Sequence, residues 1–147
     1  MIPLLVLALS FVVLRCAGLL GVTALNNVVL PLRIALFIMF LVTASAHWGK
    51  GRPDLIRMVP PVFPHAGILV SVTGVLEILG AVGLLLPATV RLAAICLAIL
   101  LIALFPANMH AARQHLKILG RPAPGLIVRG VIQVVFLSAL IVVIARS

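Results

Sequence analysis

A chain of 147 residues that is 65% hydrophobic and only 9% charged falls well short of the roughly one-quarter charged make-up of a soluble domain, so an ordinary water-soluble fold is excluded. Its formal net charge of +9 comes from 11 Lys and Arg against two acids, Asp54 and Glu77. The cations sit in short connectors beside apolar runs, where they meet lipid headgroups, and no basic stripe is interleaved with aromatics that would stack bases, so nucleic acid is excluded as a partner.

Apolar runs near the length of about 20 residues that crosses a bilayer cover 3–25, 31–48, 66–86, 88–105 and 126–145. All are expected to be helices, because backbone amides in lipid must be satisfied within their own segment and the chain lacks the strict alternation of a membrane barrel. The reading is therefore an all-α integral membrane bundle, one domain over residues 1–147. The first run starts Met1-Ile2-Pro3 without basic residues and is interrupted by Arg15, so it is taken as a helix rather than a signal peptide. Pro31 suits the first position of the second helix, where a missing N–H costs nothing, and Trp48 at its far end suits an interface.

The connector 49–65, GKGRPDLIRMVPPVFPH, is too apolar for a free loop. Asp54 is placed to cap a turn or two of helix that Pro60 and Pro61 end, and the piece is expected to lie in the membrane interface. The connector 110–125 is polar and basic, with Pro122 and Pro124 before the last span. With five spans, the N-terminus and these two connectors share a side that carries Lys50, Arg52, Arg57, Arg113, Lys117, Arg121 and Arg129, against Arg33, Arg91 and Arg146 on the other. Cations stay inside, so the N-terminus is expected in the cytoplasm and the C-terminus outside.

Arg15 falls near the middle of the first run and Glu77 near the middle of the third. Each charge costs about 2.5–3.5 kcal/mol at the bilayer centre on insertion scales. Equal depth therefore predicts that they pair, either as a structural clamp or as part of a ligand site or proton path. Around Glu77, Thr73, Gly74, Gly80 and Ala81 share a helix face by their 3 and 4 spacing, a surface for close helix packing. Arg129 and Gln133 form a second polar stripe, with Gln133 at a depth that would reach the Glu77 carboxylate.

His47, His65, His110 and His115 lie at or beyond the connector-side ends of spans, with Asn108. None shares a helix face with another at metal-ligand spacing, so no metal site is assigned. Pro106 is expected to bend the fourth span, with Asn108 satisfying backbone groups or reaching a ligand. Cys16 and Cys96, within apolar runs and without C-x-x-C spacing, read as packing residues. There is no glycine-rich phosphate loop, no Ser/His/Asp set and no second acid to pair with Glu77. No complete catalytic constellation or redox centre is visible, and enzyme status stays open.

The stretches RIALFIMFLVTASAHW, DLIRMVPP, VTGVLEILGAVGLLLP and ALFPANMHAA, in this order and spacing, make the chain similar to the DoxX-like family of small bacterial integral membrane proteins. The resemblance runs from about Arg33 to the last helix. It implies four core transmembrane helices, with the N-terminal helix as an addition, in the bacterial inner membrane and in a respiratory or redox setting. The family-like polar positions are His47, Pro60, Pro61, Glu77, Pro106 and Asn108.

The expectation is a redox-associated subunit that binds a quinone or similar hydrophobic ligand in a polar seam of Glu77, Arg15, His47, Asn108, Gln133 and Thr73. Electrons would come from a membrane oxidoreductase partner, since no intrinsic cofactor is expected. The alternatives are a non-enzymatic membrane scaffold or assembly factor, and a small-solute or proton carrier. Homo-oligomers are compatible with the leucine-rich outer faces.

Overall fold

The computed structural model describes residues 2–118, 120–122 and 124–147. Met1, at the expected helical start, and Leu119 and Ala123, within the expected 110–125 connector, lie outside the described residues. The chain forms an all-α bundle: α1 (Ile2–Leu19), a 3-10 turn (Thr23–Leu25), α2 (Val29–Ser45), α3 (Arg52–Met58), α4 (Ala66–Leu85), α5 (Val90–Ala103), α6 (Phe105–Arg113) and α7 (Leu126–Arg146). A two-residue antiparallel pairing, β1 (Lys117–Ile118) with β2 (Arg121–Pro122), turns the chain between α6 and α7.

Ile2–Leu19, Ala66–Leu85, the nearly continuous Val90–Arg113 and Leu126–Arg146 are each long and apolar enough to cross a membrane; α2 is apolar but shorter, at 17 residues. Its rise of about 26 Å approaches the roughly 30 Å of a hydrocarbon core. Outward faces are apolar as lipid requires: Leu9, Leu79, Leu92 and Val134 are all more than 60% exposed.

Helix α2 is central, packing against α1 and α4 and touching α7, while α5 lies between α4 and α7. The core is built from Leu36, Met39 and Phe40 of α2, Ala81 and Leu84 of α4, Ala94 and Leu97 of α5, and Leu140 and Val143 of α7. Hydrocarbon outside is as apolar as leucine inside, so close packing rather than escape from water must hold these helices together. Gly80 supplies it between α4 and α5, where a Cβ would stand 2.5 Å from Leu97 Cδ2.

Three boundaries differ from expectation. The first apolar run is not one helix to residue 25: α1 stops at Leu19, and Gly21 at φ 122° turns the chain, a conformation open to glycine and strained for other residues. The second span ends at Ser45, so His47 and Trp48 occupy the following turns. In the interfacial connector Gly51, not Asp54, is the N-cap of α3; Asp54 lies in the first turn and forms an ion pair with Arg57. As expected, Pro60 ends α3, with Val59 before it already extended. Leu104 separates α5 from α6, and Pro106 lies in the first turn of α6.

Candidate functional site

Among the described residues, the buried polar and charged side chains are His47 and Glu77, at 6% and 5% exposure. Both lie where α2 and its following turn meet α4. Glu77 comes from the middle of α4, on the face that also buries Val70, Gly74, Gly80, Ala81 and Leu84. The small residues on that face let α2 approach, and the approach brings Thr43 to the carboxylate: Thr43 Oγ1 donates to Glu77 Oε2 at 2.8 Å. The same hydroxyl lies 2.9 Å from its own helix carbonyl, Phe40 O.

One turn further along the chain, His47 seats its ring against Gly74. A Cβ at position 74 would stand 2.7 Å from both Cβ and Cγ of His47 and 2.8 Å from Trp48 Cη2. His47 Nδ1 lies 3.3 Å from the carbonyl of Ala44. The indole of Trp48 flanks the imidazole at 6.0 Å between centroids, tilted by 48°.

Toward the connector, Arg52 at the start of α3 donates from Nη1 to His47 O at 2.8 Å and from Nη2 to Gly67 O and Ser71 Oγ, both at 3.0 Å. Glu77 with Thr43, His47 on Gly74, and Arg52 with Ser71 and Gly67 thus form a polar column from mid-helix of α4 to its first turn.

The expected pairing of Arg15 with Glu77 does not occur. Because α1 ends at Leu19, Arg15 belongs to its last turns, and Nη1 is directed at the carbonyls of Leu25, Asn26 and Asn27 at 2.9, 2.6 and 3.3 Å. The acid that does form an ion pair is Asp54, with Arg57. Gln133 does not reach Glu77 either: its Nε2 donates to Leu101 O at 3.2 Å, a carbonyl in the last turn of α5 before the break at Leu104. Asn108 accepts at Oδ1 from Arg129 Nη1 at 2.7 Å, while Arg129 Nε donates to Pro124 O at 3.0 Å. Thr73 Oγ1 bonds back to the carbonyls of Leu69 and Val70. Of the six residues expected in the seam, the structure therefore brings Glu77 and His47 to one interface; Arg15 bonds to the loop after α1, Asn108 and Gln133 join α7 to α6 and α5, and Thr73 bonds back to its own helix.

Thr43, Gly74 as a seat, and Arg52 were not singled out for these roles from sequence. The signal that could have found Thr43 and Gly74 is a matched spacing: T-x-x-x-H running off the end of α2 and G-x-x-E in α4 set a polar and a small-or-acidic position one turn apart on each side of the interface; no such signal marks Arg52. Cys16 and Cys96, expected as packing residues, are free and exposed on the outer surface. Among the described residues no group of three or more His, Cys, Asp or Glu gathers as a metal site. An apolar depression lined by Ser71, Val72, Val75 and Leu76 opens outward on α4, and a second, lined by Asn27, Val28, Val29, Val142 and Arg146, lies between the start of α2 and the end of α7; Glu77 lines neither.

No curated protein and no solved structure matches the chain. A family match covers residues 36–146, from within α2 to the end of α7, and so includes Thr43, His47, Arg52, Gly74 and Glu77 while leaving α1 outside. Over that span the chain belongs to the family described as domain of unknown function DUF8561.

Proposed function

We propose that this is a DoxX-like subunit of the bacterial inner membrane, redox-associated, that binds the head of a quinone or similar hydrophobic ligand at the α2–α4 interface. The observation that carries the reading is Glu77, a buried carboxylate in a helix of spanning length whose recorded partner is a neutral hydroxyl rather than a cation. An acid inside a membrane bundle is costly, and a structural clamp would justify it only if a cation met it there. With Arg15 committed to the carbonyls of residues 25–27, a clamp no longer accounts for Glu77. A carboxylate one turn from an imidazole fits a ligand that alternates between carbonyl and hydroxyl oxygens: the hydroxyl form donates to the carboxylate, and the carbonyl form accepts from His47 once its ring is protonated at Nε2. Electrons would come from a partner oxidoreductase subunit. The proposed ligand contacts are Glu77, Thr43 and His47.

The test is extraction of the purified, lipid-reconstituted protein with organic solvent, followed by mass detection. Quinone is expected from the wild type and is expected to be lost on Glu77→Gln while the protein stays folded. Wild-type protein that retains no quinone after reconstitution in quinone-containing bilayers would overturn the reading.

A scaffold is the second reading. It is favoured by one observation: among the described residues, no buried side-chain nitrogen or oxygen lacks a hydrogen-bond partner. Under that reading Glu77→Gln alters stability alone.

A further inference from the structure

We propose that His47 relays protons between the connector side of the bundle and Glu77, and that Gly74 is the positioning residue that makes the relay possible. The inference rests on Glu77 being the working group of the site, as argued above, and adds the route by which its proton arrives.

The two buried polar side chains of the described bundle lie one helical turn apart along a single interface. Gly74 precedes Glu77 by three residues, so the two share a face of α4, and the His47 ring lies on Gly74 at a distance that leaves no room for a Cβ. Thr43, in the last turn of α2, is the residue bonded to Glu77, and His47 follows in the turn after that helix, seated on Gly74. Imidazole and carboxylate are therefore held about one turn of α4 apart at the same interface, with the imidazole nearer the connector.

A carbonyl can only accept, so the contact of Nδ1 with Ala44 O places the ring hydrogen on Nδ1 and leaves Nε2 as the basic nitrogen. His47 takes a proton at Nε2 from the connector side and becomes imidazolium. The Glu77 carboxylate accepts a ring proton from that imidazolium: an O–H bond forms as an N–H bond breaks, and neutral imidazole returns. Burial holds the His47 imidazole below its ordinary range, so the ring hands a proton on rather than keeping it.

The surroundings keep the route narrow. Trp48 stands beside the ring, tilted against it. Arg52 of α3 is the cation that acts on the ring, and it holds the backbone carbonyl of His47 together with Gly67 and Ser71 of α4, so it fixes the turn that carries the imidazole. From α1, Arg15 is turned to residues 25–27; on α7, Arg129 is engaged with Asn108 of α6. Among the described residues α5 and α7 add no buried charged side chain.

The test follows hydrogen–deuterium exchange of the Glu77 carboxyl by infrared spectroscopy on full-length protein in lipid films, stepped through pH, with the band assigned by its absence in Glu77→Gln. His47→Phe, which keeps a flat ring in the seat, is expected to slow exchange by about a hundredfold, in the range that a positioned acid–base group contributes. Gly74→Ala, which evicts the ring, is expected to do the same. Equal exchange in wild type and His47→Phe would overturn the relay, and so would the absence of any Glu77 carboxyl band at every pH. Quinone retention measured on the same samples separates the two ideas. Retained quinone with unchanged exchange removes the relay alone, whereas slowed exchange in a protein that never binds quinone removes the ligand reading alone.

Discussion

At the scale of single residues, Glu77 is an acid that has lost its expected cation and kept a hydroxyl. A buried hydrogen-bonding group whose partner is removed costs about 1–3 kcal/mol, more for a charged one. Thr43→Val should therefore destabilise the bundle by about 1–3 kcal/mol, with Thr43→Ser close to wild type, when unfolding is followed reversibly in mixed micelles. In the Glu77→Gln background the cost of Thr43→Val should shrink, since a neutral amide needs less support. Equal costs in both backgrounds would show that the hydroxyl supports the helix carbonyl of Phe40 rather than the carboxylate. The buried place of Glu77 was legible in the sequence because a carboxylate inside an apolar run stands out by its transfer cost alone. Its partner was not, because depth depends on where a helix ends. The run from Pro3 to Leu25 stays apolar past Leu19, and hydropathy does not register that Gly21 turns the chain at φ 122°.

At the scale of elements, arginine and glycine do the joining. Arg33, in the second turn of α2, donates from Nε to Leu84 O at 2.7 Å and from Nη2 to Leu85 O at 3.0 Å, so it caps the C-terminal carbonyls of α4. Arg52 binds the opposite end of α4 through Gly67 O and Ser71 Oγ. One helix is thereby fixed at both ends by cations from its neighbours, which sets the register that brings Thr43 to Glu77. Gly80, on the buried face of α4, sets the approach of α5, and the predicted outcome there is specific. Gly80→Ala inserts a methyl 2.5 Å from Leu97 Cδ2 and should cost about 1–3 kcal/mol by overpacking. Leu97→Ala alone should cost about 2–5 kcal/mol through the cavity it leaves. The double variant should cost clearly less than their sum, because the new methyl occupies part of that cavity; additive costs would show that α4 shifts instead of pressing on Leu97. The spans 66–86 and 126–145 were readable to within a residue or two, since long apolar runs with clear flanks leave little choice. The break at Leu104 was readable through Pro106. The use of Gln133 to bind the Leu101 carbonyl was not, because it depends on how α7 lies against α5.

At the scale of the whole molecule, charge is distributed between the two ends of the bundle. Arg15, once assigned to mid-depth, now counts with the end that carries Arg33, Arg91 and Arg146, because its guanidinium lies on the loop carbonyls of residues 25–27. The connector end still holds the larger set, with Lys50, Arg52, Arg57, Arg113, Lys117, Arg121 and Arg129. Seven cations against four keep the bias from which the connector end is expected in the cytoplasm. The first helix is not needed for that result: it lies outside the family match, and its buried residues are Leu7 and Gly18. Orientation can be read by thiol labelling in intact cells once Cys16 and Cys96, both exposed, are replaced by alanine. A cysteine at Gln114, exposed after α6, should resist a membrane-impermeant reagent added outside and should react in inverted vesicles. A cysteine at Thr23, exposed in the loop after α1, should show the reverse pattern. Ready labelling at 114 from outside would invert the bundle. It would then put the mouth of the polar column, and with it the source of any proton reaching Glu77, on the outer face of the membrane.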